Sequence, residues 1–381
     1  MVKHLENLKK ADGFKPKHAE TVLKMVDQLQ DILKYDISVI EFESDDYNDA
    51  TELYIRFNST GRKLNRTDLV LAELATRIGG LTSHKMGEMI NEWGPNFIFT
   101  RPFLILCLAS VHTGRMDLRN PEEVWRESAP NQIMDSWSKT THALDSIVEF
   151  LTGTVKWDSE SWLPSFNALI PLVYIKAKGG SFDLQSKKLA RKWLLLTGVH
   201  SYFSGAVYSQ LDQLLRKLSK EPTIDQLWKI THKDLPKLRK DDLKISRRSS
   251  PLMSLFISAL HDEDARDWVS DNPLNGTVLG KSAKLHIHHF FPSALLSKHE
   301  FKSEWINTFA NYTVLCASTN LDISAEEPAT YLPRLEPLTK HLEAQCIPLD
   351  SNLWHVANYE EFLNKREQLL LKKFNNYLDI L

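Results

Sequence analysis

Residues 285–320 read LHIHHFFPSALLSKHEFKSEWINTFANYTVLCASTN, and the fold and the chemistry of the chain are read outward from them. Two adjacent histidines, His288 and His289, end a short apolar run that Pro292 closes. Twenty-two residues after His289, Asn311 opens a second apolar run, Tyr312 to Cys316. Nine residues further on, Asn320 enters a helix-like segment. Two short strands followed by a helix can bring these four side chains around one point. Neighbouring side chains on a strand point to opposite faces, so His288 and His289 are expected to do different work.

Hydrolysis of a phosphodiester needs an activated water, neutralised charge on the phosphorus oxygens and a stabilised leaving oxygen. Histidine suits the first task because its pKa lies near neutral pH. A divalent cation suits the other two as a Lewis acid. The order His288-His289-Phe290-Phe291-Pro292, then Asn311, then Asn320 resembles the ββα-metal finger of HNH nucleases, also called the His-Me finger. That motif reads Asp-His or His-His, then two apolar residues and proline. The resemblance implies that His289 is the general base and His288 a metal ligand. It makes Asn311 the asparagine that fixes the loop and orients the imidazole, and Asn320 the second metal ligand. Two protein ligands leave positions for water and phosphate, as Mg²⁺ prefers, and an imidazole ligand admits Mn²⁺ or Ni²⁺. His286 is read as a substrate contact and His299 as a surface residue. Pro328, Tyr331 and Leu332 are similar to the P-x-x-Y-L that follows the last asparagine in the nuclease domains of GmrSD-type restriction endonucleases.

Upstream of this stretch lies the most basic segment, residues 229–249, with eight Lys or Arg against three Asp. Charge runs are usually solvated faces, but its position just before the motif makes Arg239, Lys240, Lys244, Arg247 and Arg248 candidate DNA contacts. Lys281, Lys284 and His286 join them nearer the motif. Each cation that meets a phosphate would steepen the salt dependence of binding by about one unit of slope. Residues 84–220 read as consecutive helices at 101–112, 120–128, 141–151, 163–177, 185–203 and 209–222, with a further buried helix at 251–260. Trp93, Trp125, Trp137, Trp157, Trp162 and Trp193 are read as core anchors. His112, His142 and His200 are read as hydrogen-bonded helix residues. The fold class is mainly α: a helical domain over residues 1–225, then a nuclease-like domain over 226–381 whose ββα core spans about 283–333.

At the amino-terminal end, residues 17–35 carry an apolar stripe at helical spacing, and residues 41–46 form an acidic connection. Asn58 to Gly61 read as a turn before a helix capped by Asn65. Asn58, Gly61, Leu64, Asp68 and Leu69 are similar to the N-x-x-G-x-x-L-x-x-x-D-L element in the amino-terminal half of GmrSD-type enzymes. That half begins with a ParB-like nucleotide-binding part carrying a D-G-Q-Q-R-type motif, which this sequence lacks. Residues 1–80 thus match the tail of that half, as in a fragment or a split system whose ParB-like subunit is a separate polypeptide, and no nucleotide site is assigned.

A net charge of −2 on 381 residues restricts any DNA contact to a local patch. Cys107, Cys316 and Cys346 form no CxxC pair, which points to a reducing compartment and excludes a cysteine-ligated zinc knuckle. No apolar run reaches the roughly 18 residues of a membrane span, so a cytoplasmic protein is expected. The combined reading is a metal-dependent DNA endonuclease in anti-phage defence that nicks or cleaves DNA, a double-strand break needing two copies, as a homodimer would supply. Two alternatives stand beside it: an inactive DNA- or protein-binding subunit of a defence complex, and a nuclease that acts on RNA or without specificity.

Overall fold

In the computed structural model the described residues are 66–93, 97–116, 124–125, 127–157, 160–244, 251–274, 285–323 and 325–381, with a scattering between 24 and 53. The chain divides into two compact units, Met1–Leu53 and Tyr54–Leu381. In the first, residues 24–25, 27–29 and 31–32 are helical, within the segment expected to be an amphipathic helix. Most of residues 41–46, the turn at 58–61 and the Asn65 cap lie outside the described residues. The boundary expected after residue 225 falls inside the second unit.

The second unit is mainly helical. Helix α1 (Arg66–Arg77) ends ahead of Gly79-Gly80, and Gly80 takes a φ of 82° that a β-carbon would resist. Helix α2 (Arg101–Thr113) starts where the Thr100 side chain accepts from the Phe103 amide, and it stops at Gly114 with φ 69°. Its residues Phe103 through Val111 are all buried, as its all-round apolar sequence requires. Around it pack α1, α3 (Pro130–Glu149) and α4 (Leu169–Ala177). The series continues through α5 (Leu184–Val199), capped by Asp183, and α6 (Val207–Leu218), which buries Leu211, Leu214, Leu215 and Leu218 as one stripe. Helix α7 (Ile224–Thr231) lies on α5, where Trp193 donates to the Thr231 hydroxyl at 2.9 Å. Helix α8 (Pro251–Asp262) is buried from Leu252 to Leu260 and also packs on α5.

The strands β1 (Leu285–His289) and β2 (Tyr312–Cys316) pair antiparallel, Leu285 opposite Cys316 and His289 opposite Tyr312. Helix α9 (Ala317–Ile323) follows β2 without a break and packs on both strands. Then come α10 (Pro328–Leu335) and the long carboxyl-terminal helix α11 (Tyr359–Ile380). Helix α11 buries Tyr359, Phe362, Leu363, Arg366, Leu370, Phe374, Tyr377 and Leu378, so an arginine sits in the middle of an apolar stripe. No helix among the described residues is long and apolar enough to cross a membrane.

All five residues of β2 are buried, yet β1 covers only one of its edges. A buried edge must find partners for its amides and carbonyls. Side chains supply them. Arg366 donates to the Tyr312 carbonyl at 2.7 Å and to the Ala310 and Gln345 carbonyls at 2.8 and 3.1 Å. The Gln345 carboxamide pairs with both Val314 backbone groups, at 2.8 and 2.7 Å, like a third strand. The Asp267 carboxylate accepts from the Cys316 amide at 2.7 Å.

Burial pushes the Arg366 guanidinium down to about 10, which still leaves it charged at neutral pH. Arg366→Met fills the space but strands three carbonyls, each unmet acceptor costing about 1–3 kcal/mol. We expect urea unfolding to show a loss of about 3–5 kcal/mol; a loss under about 1 kcal/mol would show that the guanidinium does not hold this edge.

Candidate active site

The geometry starts from β1. His286, His288 and His289 on this strand and Asn320 on α9 line one cavity of about 580 Å³, with Pro292 and Trp162 at its walls. Three of the four positions that the sequence singled out therefore meet at one place. The fourth, Asn311, lies beneath them.

Asn311 is fully buried at the head of β2, and every polar atom of its amide is used. Its Oδ1 accepts from the Phe291 amide at 2.9 Å, while Nδ2 donates to the carbonyls of Phe291 and Ile306 at 3.1 and 3.0 Å. The Phe290 amide donates to the Asn311 carbonyl at 2.7 Å. The two residues that follow the histidine pair are thereby tied to β2. Tyr331 completes the hold, its buried hydroxyl donating to the Phe290 carbonyl at 2.7 Å. The tyrosine of the P-x-x-Y-L element thus has a physical task at the histidine pair. Phe290 stacks on Phe362 with ring centroids 4.7 Å apart, and Phe291 meets Tyr359 edge-on at 5.0 Å.

His289 is only 6% exposed and lies against the Tyr312 ring, 5.0 Å between centroids. Its Nε2 is 3.1 Å from Oδ1 of Asn307. The Asn311 side chain, expected both to fix the loop and to orient the imidazole, spends its amide on backbone, and the carboxamide on the imidazole is that of Asn307. No spacing rule marked Asn307, which lies just past the short helix Ser303–Ile306. His288 pairs with Thr313, whose hydroxyl donates to the His288 carbonyl at 3.4 Å.

Asn320 sits one turn into α9, which begins at Ala317, rather than at its first residue. Asp267 fixes that helix start. Its carboxylate accepts from the Thr319 hydroxyl, the Cys316 amide and both the hydroxyl and amide of Ser270. Burial opposes its charge, but the hydrogen bonds from Thr319, Cys316 and Ser270 outweigh that and hold the carboxyl below the usual carboxylate range.

The candidate DNA contacts divide. His286 lines the cavity. Lys240 pairs with Glu367 at 3.2 Å, and Lys244 with Asp241 at 2.7 Å. Arg239 is exposed. Arg247, Arg248, Lys281 and Lys284 lie outside the described residues. His112, His142 and His200 hydrogen-bond to Ser128 and Ser136, to the Ser138 carbonyl and to the Pro236 carbonyl. His299 is exposed, and five of the six tryptophans are buried, the half-buried Trp162 reaching the cavity.

Among the described residues no three His, Cys, Asp or Glu side chains are grouped so as to hold a metal ion by themselves. A cation in the cavity would be held by the His288 imidazole and the Asn320 carboxamide, a nitrogen–oxygen pair that suits Mg²⁺, Mn²⁺ or Ni²⁺ with water completing the shell.

Two stability measurements test this frame. Asn311→Ala orphans three buried backbone groups and should cost about 3 kcal/mol or more in urea unfolding. A cost under about 1 kcal/mol contradicts the tie. For Asp267 the folded pKa lies below the unfolded one, so its stabilisation is present above about pH 4 and is lost as pH falls through the folded value. The stability gap between wild type and Asp267→Asn should therefore shrink on acidification below about pH 4. A gap that stays constant there contradicts the assignment.

No family model matches the sequence, and no curated protein compared with it matches either.

Proposed function

We propose that the chain is a metal-dependent endonuclease that hydrolyses phosphodiester bonds in DNA. One observation carries the reading: three histidines of β1 and an asparagine of α9 line a single cavity, above a buried asparagine that clamps the loop between them. The two antiparallel strands and the helix that follows them support this reading, since an HNH finger has its elements in that order. The resemblance of residues 285–332 to GmrSD-type nuclease domains extends the proposal to restriction of invading DNA. One such centre cuts one strand, so a double-strand break takes two copies.

The chemistry divides among the chain's own residues. His289 takes a proton from water as it attacks phosphorus. The hydrogen bonds made by Asn311 and Tyr331 to residues 290 and 291 hold the backbone that carries the imidazole, so its aim costs no reorganisation at the moment of reaction. His288 and Asn320 hold the cation, which when bound supplies Lewis-acid stabilisation to the phosphorus oxygens and the leaving oxygen. His286, on the same face of β1 as His288 and lining the same cavity, would meet the incoming phosphate.

Nicking of supercoiled plasmid in millimolar Mg²⁺ or Mn²⁺ tests the proposal, with RNA and single-stranded DNA offered in parallel. His289→Ala should lower the rate by about 10²–10⁴-fold. His288→Ala and Asn320→Ala should weaken Mn²⁺ binding measured by calorimetry. Absence of nicking by wild type overturns the enzyme reading and favours a binding subunit, and equal nicking by wild type and His289→Ala overturns the role given to His289. Cleavage of RNA alone replaces the substrate.

A further inference from the structure

We propose that Asn307 is a positioning residue that fixes the tautomer of His289, keeping the ring proton on Nε2 and the lone pair on Nδ1. The catalytic consequence rests on the nuclease reading; the tautomer itself does not.

The chain of contacts leaves one consistent assignment. The Asn307 carboxamide faces Ser303 on one side, with Nδ2 at 3.0 Å from both the Ser303 carbonyl and its hydroxyl. A carbonyl oxygen only accepts, so the group that faces it must be the NH₂. The other end of the amide, Oδ1, is then the atom 3.1 Å from Nε2 of His289. An amide oxygen also only accepts, so Nε2 must bring the hydrogen. The Tyr312 hydroxyl donates to the same Oδ1 at 3.4 Å, in keeping with that orientation of the amide. In a neutral imidazole one nitrogen donates and the other accepts. With the proton held at Nε2, the basic nitrogen is Nδ1.

The backbone makes this arrangement stiff. Asn307 ends the helical turn Ser303–Ile306, and its own amide donates to the Ser303 carbonyl at 2.9 Å. Ile306, its neighbour, is buried and gives its carbonyl to Asn311. The loop that carries Asn307 is thus tied to the same buried asparagine as the loop after His289. One side chain sets the height of both partners, and Asn307 then selects the protonation site. A general base that must take a proton from water at one nitrogen gains from having the other already blocked and occupied. Ser303 has a part in this as the group that decides which way the amide faces.

The test is nuclear magnetic resonance on the full chain with ¹⁵N-labelled histidine, at a pH where the imidazole is neutral and without added metal. His289 is identified by the signals lost in His289→Gln. Wild type should show a proton on Nε2 protected from solvent exchange, with Nδ1 unprotonated. Asn307→Leu, which removes the acceptor, should lose that protection, and Asn307→Asp, which keeps an acceptor oxygen, should retain it. In the plasmid assay Asn307→Leu should lower kcat by about tenfold or more while KM for DNA stays within a factor of about two. A proton on Nδ1 in wild type, or an unchanged Nε2 signal in Asn307→Leu, overturns the proposal. If the leucine variant fails to fold, the wild-type pattern still decides. A protected Nε2 proton in a wild-type protein that nicks nothing upholds the tautomer and sinks the nuclease reading.

Discussion

A strand that is wholly buried but paired along one edge only has to be completed by something other than a strand. In this protein the completion is made by three side chains from three distant places: Arg366 on the last helix, Gln345 before it, and Asp267 ahead of β1. Each meets β2 at alternate residues, Tyr312, Val314 and Cys316, whose outward backbone groups point away from β1. Everything at the site inherits its position from that strand. β1 is hydrogen-bonded to it, Asn311 stands at its head, and α9 with Asn320 leaves from its tail.

The consequence is a division of labour between buried and half-exposed polar groups. Asn311, Gln345, Arg366 and the Tyr331 hydroxyl bond to backbone groups, Asp267 to backbone and to the Thr319 and Ser270 hydroxyls, and all five are buried. His286, His288 and Asn320, half-buried, face the cavity, with His289 between the two sets. A buried polar network that is satisfied rigidifies its surroundings, whereas a partly satisfied one would cost stability. The rigid layer below is what lets the histidines above hold one arrangement without being packed in themselves.

Much of the helical frame was legible in the sequence because it depends on local pattern. The run 101–112, apolar nearly all round, and the run 251–260 emerge as buried helices nearly at their expected bounds. Where polar residues dominate, boundaries moved: the helix expected from residue 141 starts at Pro130, whose fixed φ suits a first turn. The one expected from 163 begins as an α-helix only at Leu169, after a short 3₁₀ turn. At the site, the meeting of His288, His289 and Asn320 at one cavity was legible in their order along the chain. Asn307 and Arg366 were not. Asn307 looks like any polar residue between two elements, and Arg366 sits at a helical position where an apolar residue is expected. Their roles come from partners 18 and 54 residues away, which neither periodicity nor composition encodes.

The proposed chemistry requires one cation between β1 and α9. Crystals of the full chain soaked in Mn²⁺, with anomalous difference maps recorded at a wavelength where manganese scatters, test it most directly. The expected result is a single strong peak in the cavity, bonded to the His288 imidazole and the Asn320 carboxamide. An empty cavity at saturating Mn²⁺, or a peak bonded to neither residue, would contradict it.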